Sequence, residues 1–397
     1  MNFDQIINRK NTYSMKWDGA QSIYQNSNLI PMWIADMDLK APEPIISAIR
    51  KYAELGIYGY VEYPELTDIP QVIAEWLKKR NNWNVKPENL GYSSGVINGI
   101  SLAIRALTQE NDSIIVQSPL YGHFRSAIEH SKRVLVKNDL IRQEKSYFFN
   151  WDKLESQIVA NHVKMAILCN PHNPTGRVWS PDELRHFVNI CQQHQVIILS
   201  DDIHSDLILP GYQYYPVASI CPEYSNQIIT FKSLSKTFNV AGLQFSYYHT
   251  TNNTYLKKMK STAQYSSNPE WPTSFALPAL KAAYENPICE KWLQRLLVYL
   301  ASNLQWLTKE IESKTPAIVT HSQSTYLAWI DVSYLHCSEA YLLHELDNSG
   351  IGIQSNKDFG LNNNDGLFIR LNYATSKAVL KQGIQRLING LNHLHKK

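Results

Sequence analysis

The sequence predicts an α/β fold, with a large domain whose mostly parallel sheet is covered by helices and a smaller α+β domain. Two observations predict the large domain. Short apolar runs alternate with amphipathic helical patterns through the middle of the 397-residue chain, which is typical of strands joined by crossover helices. The run Val196–Leu199 lacks polar alternation, as expected for a strand that is buried on both faces.

The elements of the large domain are predicted from their periodicity. Strand segments are short and rich in apolar, β-branched or aromatic residues, whereas helices repeat apolar residues every three or four positions. The predicted strands are Ser113–Gln117, Val134–Val136, Met165–Cys169, Val196–Ser200, Ile228–Phe231 and Phe245–His249. The predicted helices are Val96–Leu107, Tyr121–His130, Asp182–Gln193 and Tyr255–Gln264.

The pattern changes after about residue 286 and predicts a smaller carboxy-terminal domain. A long helix is followed by three strands and a last helix. These elements are Ile288–Ser313, then Tyr326–Val332, Gly350–Gln354 and Phe368–Leu371, then Lys377–Leu394. We therefore predict three parts: an amino-terminal segment that packs with the small domain, a large domain and the small domain. Their boundaries are 1–45, 46–285 and 286–397.

Composition excludes several classes of protein. The chain has 38 Lys and Arg residues against 35 Asp and Glu residues and no dense basic block, which argues against nucleic acid as a partner. No apolar run approaches the ~18 residues of a membrane span, and no signal peptide is visible. Five widely spaced cysteines argue for a reducing compartment. We predict a cytoplasmic protein that binds no membrane, no nucleic acid and no metal.

Three polar motifs follow predicted strands in the order Asn, Asp, Lys. Asn173 lies in Asn-Pro-His-Asn-Pro-Thr-Gly, Asp201 opens Asp-Asp-Ile-His-Ser-Asp, and Lys236 ends Ser-Leu-Ser-Lys. Ligands of open α/β sheets collect outside the carboxyl ends of the strands, so the three motifs are expected to converge. Together they predict a pyridoxal 5′-phosphate site, in which the lysine carries the cofactor as a Schiff base and the aspartate partners the pyridinium nitrogen.

Each of these residues also has an ordinary structural interpretation. A lone lysine after a strand is usually a surface residue, an aspartate there is often a helix cap, and Asn173 suits a turn. As a functional set, Lys236 must have a lowered pKa to attack a carbonyl and to act as a general base. Asp201 must stay ionised, and Asn173 suits a hydrogen bond to the ring hydroxyl.

Further residues are candidates for holding the cofactor. Gly95 and Val96 follow a strand and open a helix, so their amides suit a phosphate group, although a plain strand–helix turn explains them equally well. Ser233 and Ser235 add hydroxyl donors. Tyr121 is a candidate for stacking on the ring, although with 23 tyrosines in the chain a core position is the alternative.

Arg370 is the candidate for holding the substrate. It lies within the apolar strand Phe368–Leu371, where a guanidinium needs a partner. Arg is suited to gripping a carboxylate through two parallel hydrogen bonds. That partner is either a substrate carboxylate or a structural aspartate.

At this point the residues resemble a known family. The motifs above resemble those of the fold type I pyridoxal-phosphate enzymes of the class I/II aminotransferase superfamily. Within them, the chain is similar to the MalY/PatB-type cystathionine β-lyases, also called cysteine-S-conjugate C–S lyases. The narrower resemblance lies in four segments: Pro31–Asp38, Tyr58–Tyr60, Ser200–Asp206 and Lys236–Gln244.

The resemblance implies a homodimer with shared active sites. It places Tyr60 at the phosphate of the neighbouring subunit, Ala35 near the substrate carboxylate and His204 near the ring hydroxyl, and it adds Asn173 to the substrate-binding residues. Two positions depart from the pattern. Gln244 stands where many aminotransferases carry a phosphate-binding Arg, and Asp202 stands where the lyases more often have Glu.

Three functions follow from the resemblance and the site. The first is β-elimination of L-cysteine thioethers, such as cystathionine or other S-conjugates, to a thiol, pyruvate and ammonia. The second is amino transfer, which starts from the same carbanion; no single residue decides between the two. The third is a regulatory role through binding of another protein, because the lyase group includes members associated with control of transcription factors.

Overall fold

A computed structural model describes residues 2–24, 26, 28–265 and 272–396. Met1 and Lys397, at the ends of the predicted outer segments, lie outside this range. The helices are α1 (Glu43–Ala53), α2 (Ile69–Asn81), α3 (Val96–Leu107), α4 (Gly122–His130), α5 (Trp151–Ala160), α6 (Pro181–Gln193), α7 (Val217–Ile220), α8 (Leu234–Thr237), α9 (Asn253–Tyr265), α10 (Ala276–Glu285), α11 (Pro287–Lys314), α12 (Glu339–Asn348) and α13 (Lys377–His395).

The strands of the structure build one large sheet and three smaller ones. They are β1 (Ile30–Pro31), β2 (Leu90–Ser93), β3 (Ser113–Ser118), β4 (Val134–Asp139), β5 (Ile141–Gln143), β6 (Ser146–Phe148), β7 (Met165–Cys169), β8 (Ile197–Asp201), β9 (Ile228–Lys232), β10 (Ser246–His249), β11 (Ile318–Val319), β12 (Leu327–Asp331), β13 (Ile351–Gly352), β14 (Gln354–Ser355) and β15 (Phe368–Asn372).

The large sheet confirms the predicted α/β class. Its seven strands lie in the order β2-β10-β9-β8-β7-β3-β4. The five strands from β9 to β4 run parallel, whereas β10 is antiparallel to both of its neighbours. The sheet is therefore mostly parallel, and the carboxyl ends of β7, β8 and β9 meet at one edge.

Both faces of this sheet are buried, which explains the apolar runs in the sequence. On β3, Ile115 packs into one apolar core while its neighbours Ile114 and Val116 pack into another. The same alternation places Ile198 and Leu199 of β8 in different cores. Because each side chain meets a helical layer, no position in the strand needs to be polar.

A second, four-stranded antiparallel sheet forms the carboxy-terminal part, in the order β11-β12-β15-β14. The predicted strand Gly350–Gln354 is corrected here, because it is two short strands that join different sheets. β13 pairs in parallel with β1, which ties the amino-terminal segment to this region. That pairing supports the proposed division into three parts, which stays a prediction.

Several elements were not predicted from the sequence. Seven helices (α1, α2, α5, α7, α8, α10 and α12), the short strands β1 and β11 and the β5–β6 hairpin lie outside the predicted set. In the part of the chain that the structure describes, no helix combines the length and the apolar character needed to cross a bilayer.

Candidate active site

A cavity of about 370 Å³ lies at the carboxyl ends of the central strands. β7 and β8 end at its wall with Cys169 and Asp201, and the short helix α8 carries Lys236 into it. The structure therefore brings together ten of the predicted site residues around one space. They are Ala35, Gly95, Val96, Tyr121, Asn173, Asp201, His204, Ser235, Lys236 and Arg370.

The amine of Lys236 lies in the cavity wall. Its Nζ atom donates a hydrogen bond to the carbonyl oxygen of Ala35 at 2.7 Å. Burial lowers the pKa of Lys236 to about 8, while Asp36 and Asp201 act to raise it and Arg370 acts to lower it. A larger share of this amine is unprotonated at neutral pH than for a lysine in water, as nucleophilic or base chemistry requires.

The carboxyl group of Asp201 is buried at the end of β8. Its Oδ1 atom accepts a hydrogen bond from the backbone amide of Ile203 at 3.1 Å. Burial raises the pKa of Asp201 to about 7, and the charge of Asp202 adds to that effect. The Lys236 ammonium acts in the opposite direction. A cation in the cavity beside Asp201 would favour its ionised form.

His204 and Asn173 add uncharged polar groups to the wall. Burial lowers the pKa of His204 to about 3, with Lys236 and Arg370 contributing, so its imidazole is neutral. Its Nδ1 atom is buried and has no hydrogen-bond partner among the described residues. Asn173 is also buried and turns its Oδ1 atom to the guanidinium of Arg370. Both side chains suit a hydroxyl group of a ligand.

The start of helix α3 lines one end of the cavity and has the backbone geometry that suits an anion. Gly95 precedes the helix with φ 119° and ψ 150°, a backbone conformation that favours glycine. The first backbone amides of an α-helix lack partners within the helix, and the helix dipole adds positive charge there. Val96 and Ser235 line the same cavity, so a phosphate group would find both amide and hydroxyl donors.

The hydrogen bonds of Ser233 lie within the protein, and its contact with a phosphate stays a prediction. Ser233 does not line the cavity, and its Oγ atom lies 2.6 Å from the carbonyl oxygen of Phe245. Because a carbonyl oxygen only accepts, the hydroxyl hydrogen of Ser233 points there. The same oxygen accepts from the Ser235 amide at 3.0 Å. Ser233 therefore caps α8 and positions Ser235.

Tyr60 and Tyr121 lie in contrasting places. Tyr121 caps α4 and lines the cavity, where burial raises the pKa of its hydroxyl to about 12. Tyr60 lies outside the cavity of its own chain, and 95% of its side-chain surface is exposed. Its predicted contact requires a second subunit, so it stays a prediction.

Arg370 is a buried cation that also lines the cavity. Its guanidinium donates to Asn173 Oδ1 at 2.9 Å, to the Trp33 carbonyl oxygen at 3.2 Å and to the side chain of Gln354. No ion pair joins it to a carboxylate of the described residues, and its buried Nε atom has no partner among them. Desolvation by burial lowers its pKa to about 10. The structural-aspartate alternative is thereby disfavoured.

The sequence argument missed other residues of the wall. Gln354 holds Arg370, and Cys169 places its thiol between the backbone of Pro171 and that of Asn173. Neither stands in a motif, and only their positions at strand ends could have pointed to them. In the described residues, no group of three or more His, Cys, Asp or Glu side chains could hold a metal ion.

The residues present fit pyridoxal phosphate. The cavity offers an amine of lowered pKa in Lys236, a buried carboxylate without a strong cationic partner in Asp201, and an unpaired buried nitrogen in His204. An anion site lies at the start of α3. These four features match the cofactor's aldehyde carbon, ring nitrogen, ring hydroxyl and phosphate.

Comparisons with known proteins agree with this geometry. The chain is 33% identical to cystathionine β-lyase PatB of Bacillus subtilis over 98% of this chain and 99% of the relative. A PLP-bound structure from Clostridium difficile, provisionally named an aminotransferase, is 37% identical with a TM-score of 0.93, covering 98% of this chain and 100% of that one. A PLP-bound C–S lyase structure from Staphylococcus hominis is 32% identical with a TM-score of 0.89, covering 99% of both chains.

A family model places the chain more broadly. The model for aminotransferase class I and II matches residues 29–387, which includes every part of the cavity described above. With this match and the relatives at more than 30% identity over nearly the whole chain, the chain belongs to the class I and II aminotransferase family.

Proposed function

We propose that the protein is a PLP-dependent carbon–sulfur lyase that cleaves L-cysteine thioethers by β-elimination. The observation that carries this proposal is that Lys236 and Arg370 line the same cavity. The chain is also similar to cystathionine β-lyases and C–S lyases. Its cofactor is pyridoxal 5′-phosphate. When bound, this cofactor supplies an electron sink for the charge that remains at the substrate Cα after its proton is removed.

The residues of the chain divide the work around that cofactor. Lys236 would attach it, Asp201 would pair with its ring nitrogen, and His204 and Asn173 would bind its ring hydroxyl. Gly95, Val96 and Ser235 would bind its phosphate, and Tyr121 would stack on its ring.

The substrate is positioned by its carboxylate. Arg370 would bind this group through its guanidinium, beside Asn173 and Ala35. The Lys236 amine, free once the substrate amine has replaced it, would then remove the proton from Cα and hold it at Nζ. The bond between Cβ and sulfur breaks with its electron pair on sulfur, so a thiolate leaves. With one water, the remaining fragment ends as pyruvate and ammonia.

A direct test follows both products. Purified protein supplied with pyridoxal phosphate and L-cystathionine should release pyruvate and homocysteine in equal amounts. Lys236→Ala should abolish both, whereas the matched control Lys153→Ala, on the exposed face of α5, should leave them unchanged. Release of neither product by the wild-type protein, for cystathionine and for other cysteine S-conjugates, would contradict the proposal.

Amino transfer is the second candidate, favoured by the provisional name of the Clostridium difficile relative. It would start from the same proton removal by Lys236 and would pass the amino group of the substrate to a 2-oxo acid. Gln244 lines the cavity with an uncharged side chain where many aminotransferases are expected to carry Arg, which favours the lyase. A regulatory protein-binding role stays an untested hypothesis.

We also propose a homodimer with shared active sites. The stretch around Tyr60 exposes several large apolar side chains, as an interaction surface does. They are Leu55, Ile57, Tyr58, Tyr60 and Leu66, with exposures of 58% to 95%. A dimer would bury this stretch and bring Tyr60 to the partner's phosphate site.

Five free cysteines support the proposed cytoplasmic location.

Mixing two inactive variants tests the shared site. If Tyr60 acts in the partner's site, random reassortment of Lys236→Ala and Tyr60→Ala subunits should restore about a quarter of the wild-type sites. If Tyr60 acts within its own chain, or not at all in the site, mixing should restore no activity beyond that of the separate variants.

A further inference from the structure

A cluster of charges in the amino-terminal segment, with Lys16 and Asp38 buried and Arg9 and Asp36 partly buried, lies next to the residues that line the cavity and has no role in the reaction described so far. Lys16 is only 1% exposed, and its Nζ atom donates to Asp38 Oδ2 at 2.7 Å and to the carbonyl oxygen of Asp36 at 3.0 Å. Arg9 bridges the two carboxylates, at 3.0 Å from Asp38 Oδ1 and 2.7 Å from Asp36 Oδ2. Since buried charges are costly without partners, this pairing holds the segment in one conformation.

The segment held in this way reaches the catalytic lysine. The carbonyl oxygen of Ala35 accepts the hydrogen bond from Lys236 Nζ at 2.7 Å. On its other side, Asn372 Nδ2 donates to the carbonyl oxygen of Asp36 at 2.8 Å. Asp36 is therefore the residue that directly follows the lysine contact, and its backbone and carboxylate are both held by the protein.

We propose that Asp36 is a positioning residue: held by Arg9, its carboxylate supplies the counter-charge for the Lys236 ammonium. This inference rests on the proposed function, in which Lys236 takes a proton from Cα and holds it at Nζ. That proton makes the amine a cation in a wall that already contains the guanidinium of Arg370. A nearby carboxylate stabilises this charged form and so favours the proton transfer.

The charges around Lys236 agree with this role. After burial, which lowers the pKa of Lys236, the largest influence is that of Asp36, which raises it, ahead of Arg370 and Asp201. The titratable groups around Lys236 are Asp201, His204 and Arg370 in the cavity wall, Tyr326, which donates to the same Ala35 carbonyl oxygen, and Asp36, which acts on its charge without forming a direct ion pair. Those that face Asp36 are Arg9, Lys16, Lys236 and Tyr326.

The test is the pH dependence with which Lys236 takes up its cofactor. The full-length protein is stripped of pyridoxal phosphate, and the rate of reincorporation is followed by absorbance between pH 6 and 10. This rate reports the unprotonated fraction of the amine, independently of any turnover. The pH profile of kcat of the holoenzyme is measured alongside, and its acid limb should move in the same direction.

Two substitutions should move the midpoint of the pH profile of cofactor reincorporation in opposite directions. Asp36→Asn removes the counter-charge, so the midpoint should fall; a fall of one unit would raise the rate at pH 7 roughly fivefold. Arg9→Met leaves the Asp36 carboxylate without its cation. The negative charge of Asp36 then acts more strongly on Lys236, so the midpoint should rise. A loosened segment alone would not produce shifts of opposite sign.

The matched controls are Asp182→Asn and Arg185→Met, which break an exposed pair of the same kind on α6 and should shift neither profile. If Arg9→Met fails to fold, Arg9→Lys keeps the charge and should keep the midpoint, and Asp36→Asn then decides. An unchanged midpoint in Asp36→Asn, or shifts of the same sign in both variants, would overturn the inference. Failure of the wild-type protein to attach the cofactor at Lys236 would instead contradict the proposed function.

Discussion

Two buried carboxylates, Asp201 in the cavity wall and Asp38 in the amino-terminal segment, meet the same desolvation in opposite ways. They are 4% and 6% exposed. Burial acts to raise both pKa values, but at Asp38 the cations of Lys16 and Arg9 and the hydrogen bond from Trp17 outweigh it and lower the pKa. At Asp201 burial prevails and raises the pKa to about 7.

The opposite pKa shifts of Asp38 and Asp201 distinguish a structural carboxylate from one that suits a ligand. Within the amino-terminal cluster, Asp38 is paired with two cations, Lys16 and Arg9, so its charge stabilises the fold. The cavity wall differs, because Asp201, Lys236 and Arg370 all have pKa values displaced toward their neutral forms. Displaced ionisable groups around one cavity are typical of active sites. A ligand with complementary charges would restore their ordinary ionisation.

The largest expected effect is on catalysis, at Asp201. Asp201→Asn keeps the shape of the side chain and removes its charge, so the cofactor ring loses the partner that makes it an electron sink. We expect kcat to fall by about a thousandfold, the upper range for loss of one preorganised electrostatic group. The rate of pyruvate release measures it. A fall of less than tenfold would mean that the Asp201 charge is not used.

The next effect is on stability, at Lys16. Lys16→Met leaves a buried carboxylate short of a cation, so the free energy of unfolding should fall by about 3 kcal/mol. Urea unfolding measures it. The control Lys145→Met breaks an exposed pair with Glu312 and should cost less than about 1 kcal/mol. Equal losses in the two variants would contradict the contrast between a closed cluster and an ordinary surface pair.

A smaller effect is expected at Arg370. Arg370→Lys keeps the charge but loses the two-pronged geometry, so KM for the amino-acid substrate should rise about tenfold to a hundredfold while the thermal midpoint changes little. Steady-state kinetics measure it. Arg142→Lys, in a partly exposed pair with Asp331, is the control and should leave KM unchanged. An unchanged KM in Arg370→Lys would argue against the carboxylate contact.

The smallest effect is the pH dependence of stability. The folded-state pKa of Asp201 is about 7, above the ordinary 3.8, so between these values the folded protein holds a proton that the unfolded chain has released. Raising the pH through this window therefore destabilises cofactor-free protein. Asp201→Asn lacks this loss, so its thermal midpoint should gain on the wild type by about 2 °C between pH 4 and 8.

Added pyridoxal phosphate provides a second test of the pH dependence of the thermal midpoint. The bound ring nitrogen would pair with Asp201 and favour its ionised form, so the gain of the variant should vanish in the presence of the cofactor. Calorimetric scans at each pH, with and without cofactor, measure both. A difference between variant and wild type that stays flat across the pH range would show that Asp201 titrates normally.

The comparison also explains what the sequence could predict. Asn173, Asp201 and Lys236 each follow a strand that is visible as an apolar run, and parallel strands bring their carboxyl ends together without further information. Most predicted strands therefore agree with the structure within one or two residues. Two predictions differ more. Gly350–Gln354 is two short strands, and Val134–Val136 continues to Asp139 because Lys137, Asn138 and Asp139 keep pairing with β3.

The charge cluster of the amino-terminal segment could not be predicted from apolar runs and strand ends. Arg9 and Lys16 lie in an irregular segment, and their partners Asp36 and Asp38 lie 20 to 29 residues away along the chain. No periodicity links them, since side-chain contacts alone join the two stretches. The contact of Ser233 with the carbonyl oxygen of Phe245, twelve residues on, was not predictable for a related reason, since no motif links the two residues.

The most direct measurement of the central claim lets the two fates of the substrate compete. Holoenzyme is given L-cystathionine together with 2-oxoglutarate, and pyruvate, homocysteine and glutamate are quantified in one reaction. The account predicts pyruvate and homocysteine in equal amounts and no glutamate above the level of a Lys236→Ala control. Glutamate formation without release of homocysteine would contradict it and assign the cavity to amino transfer.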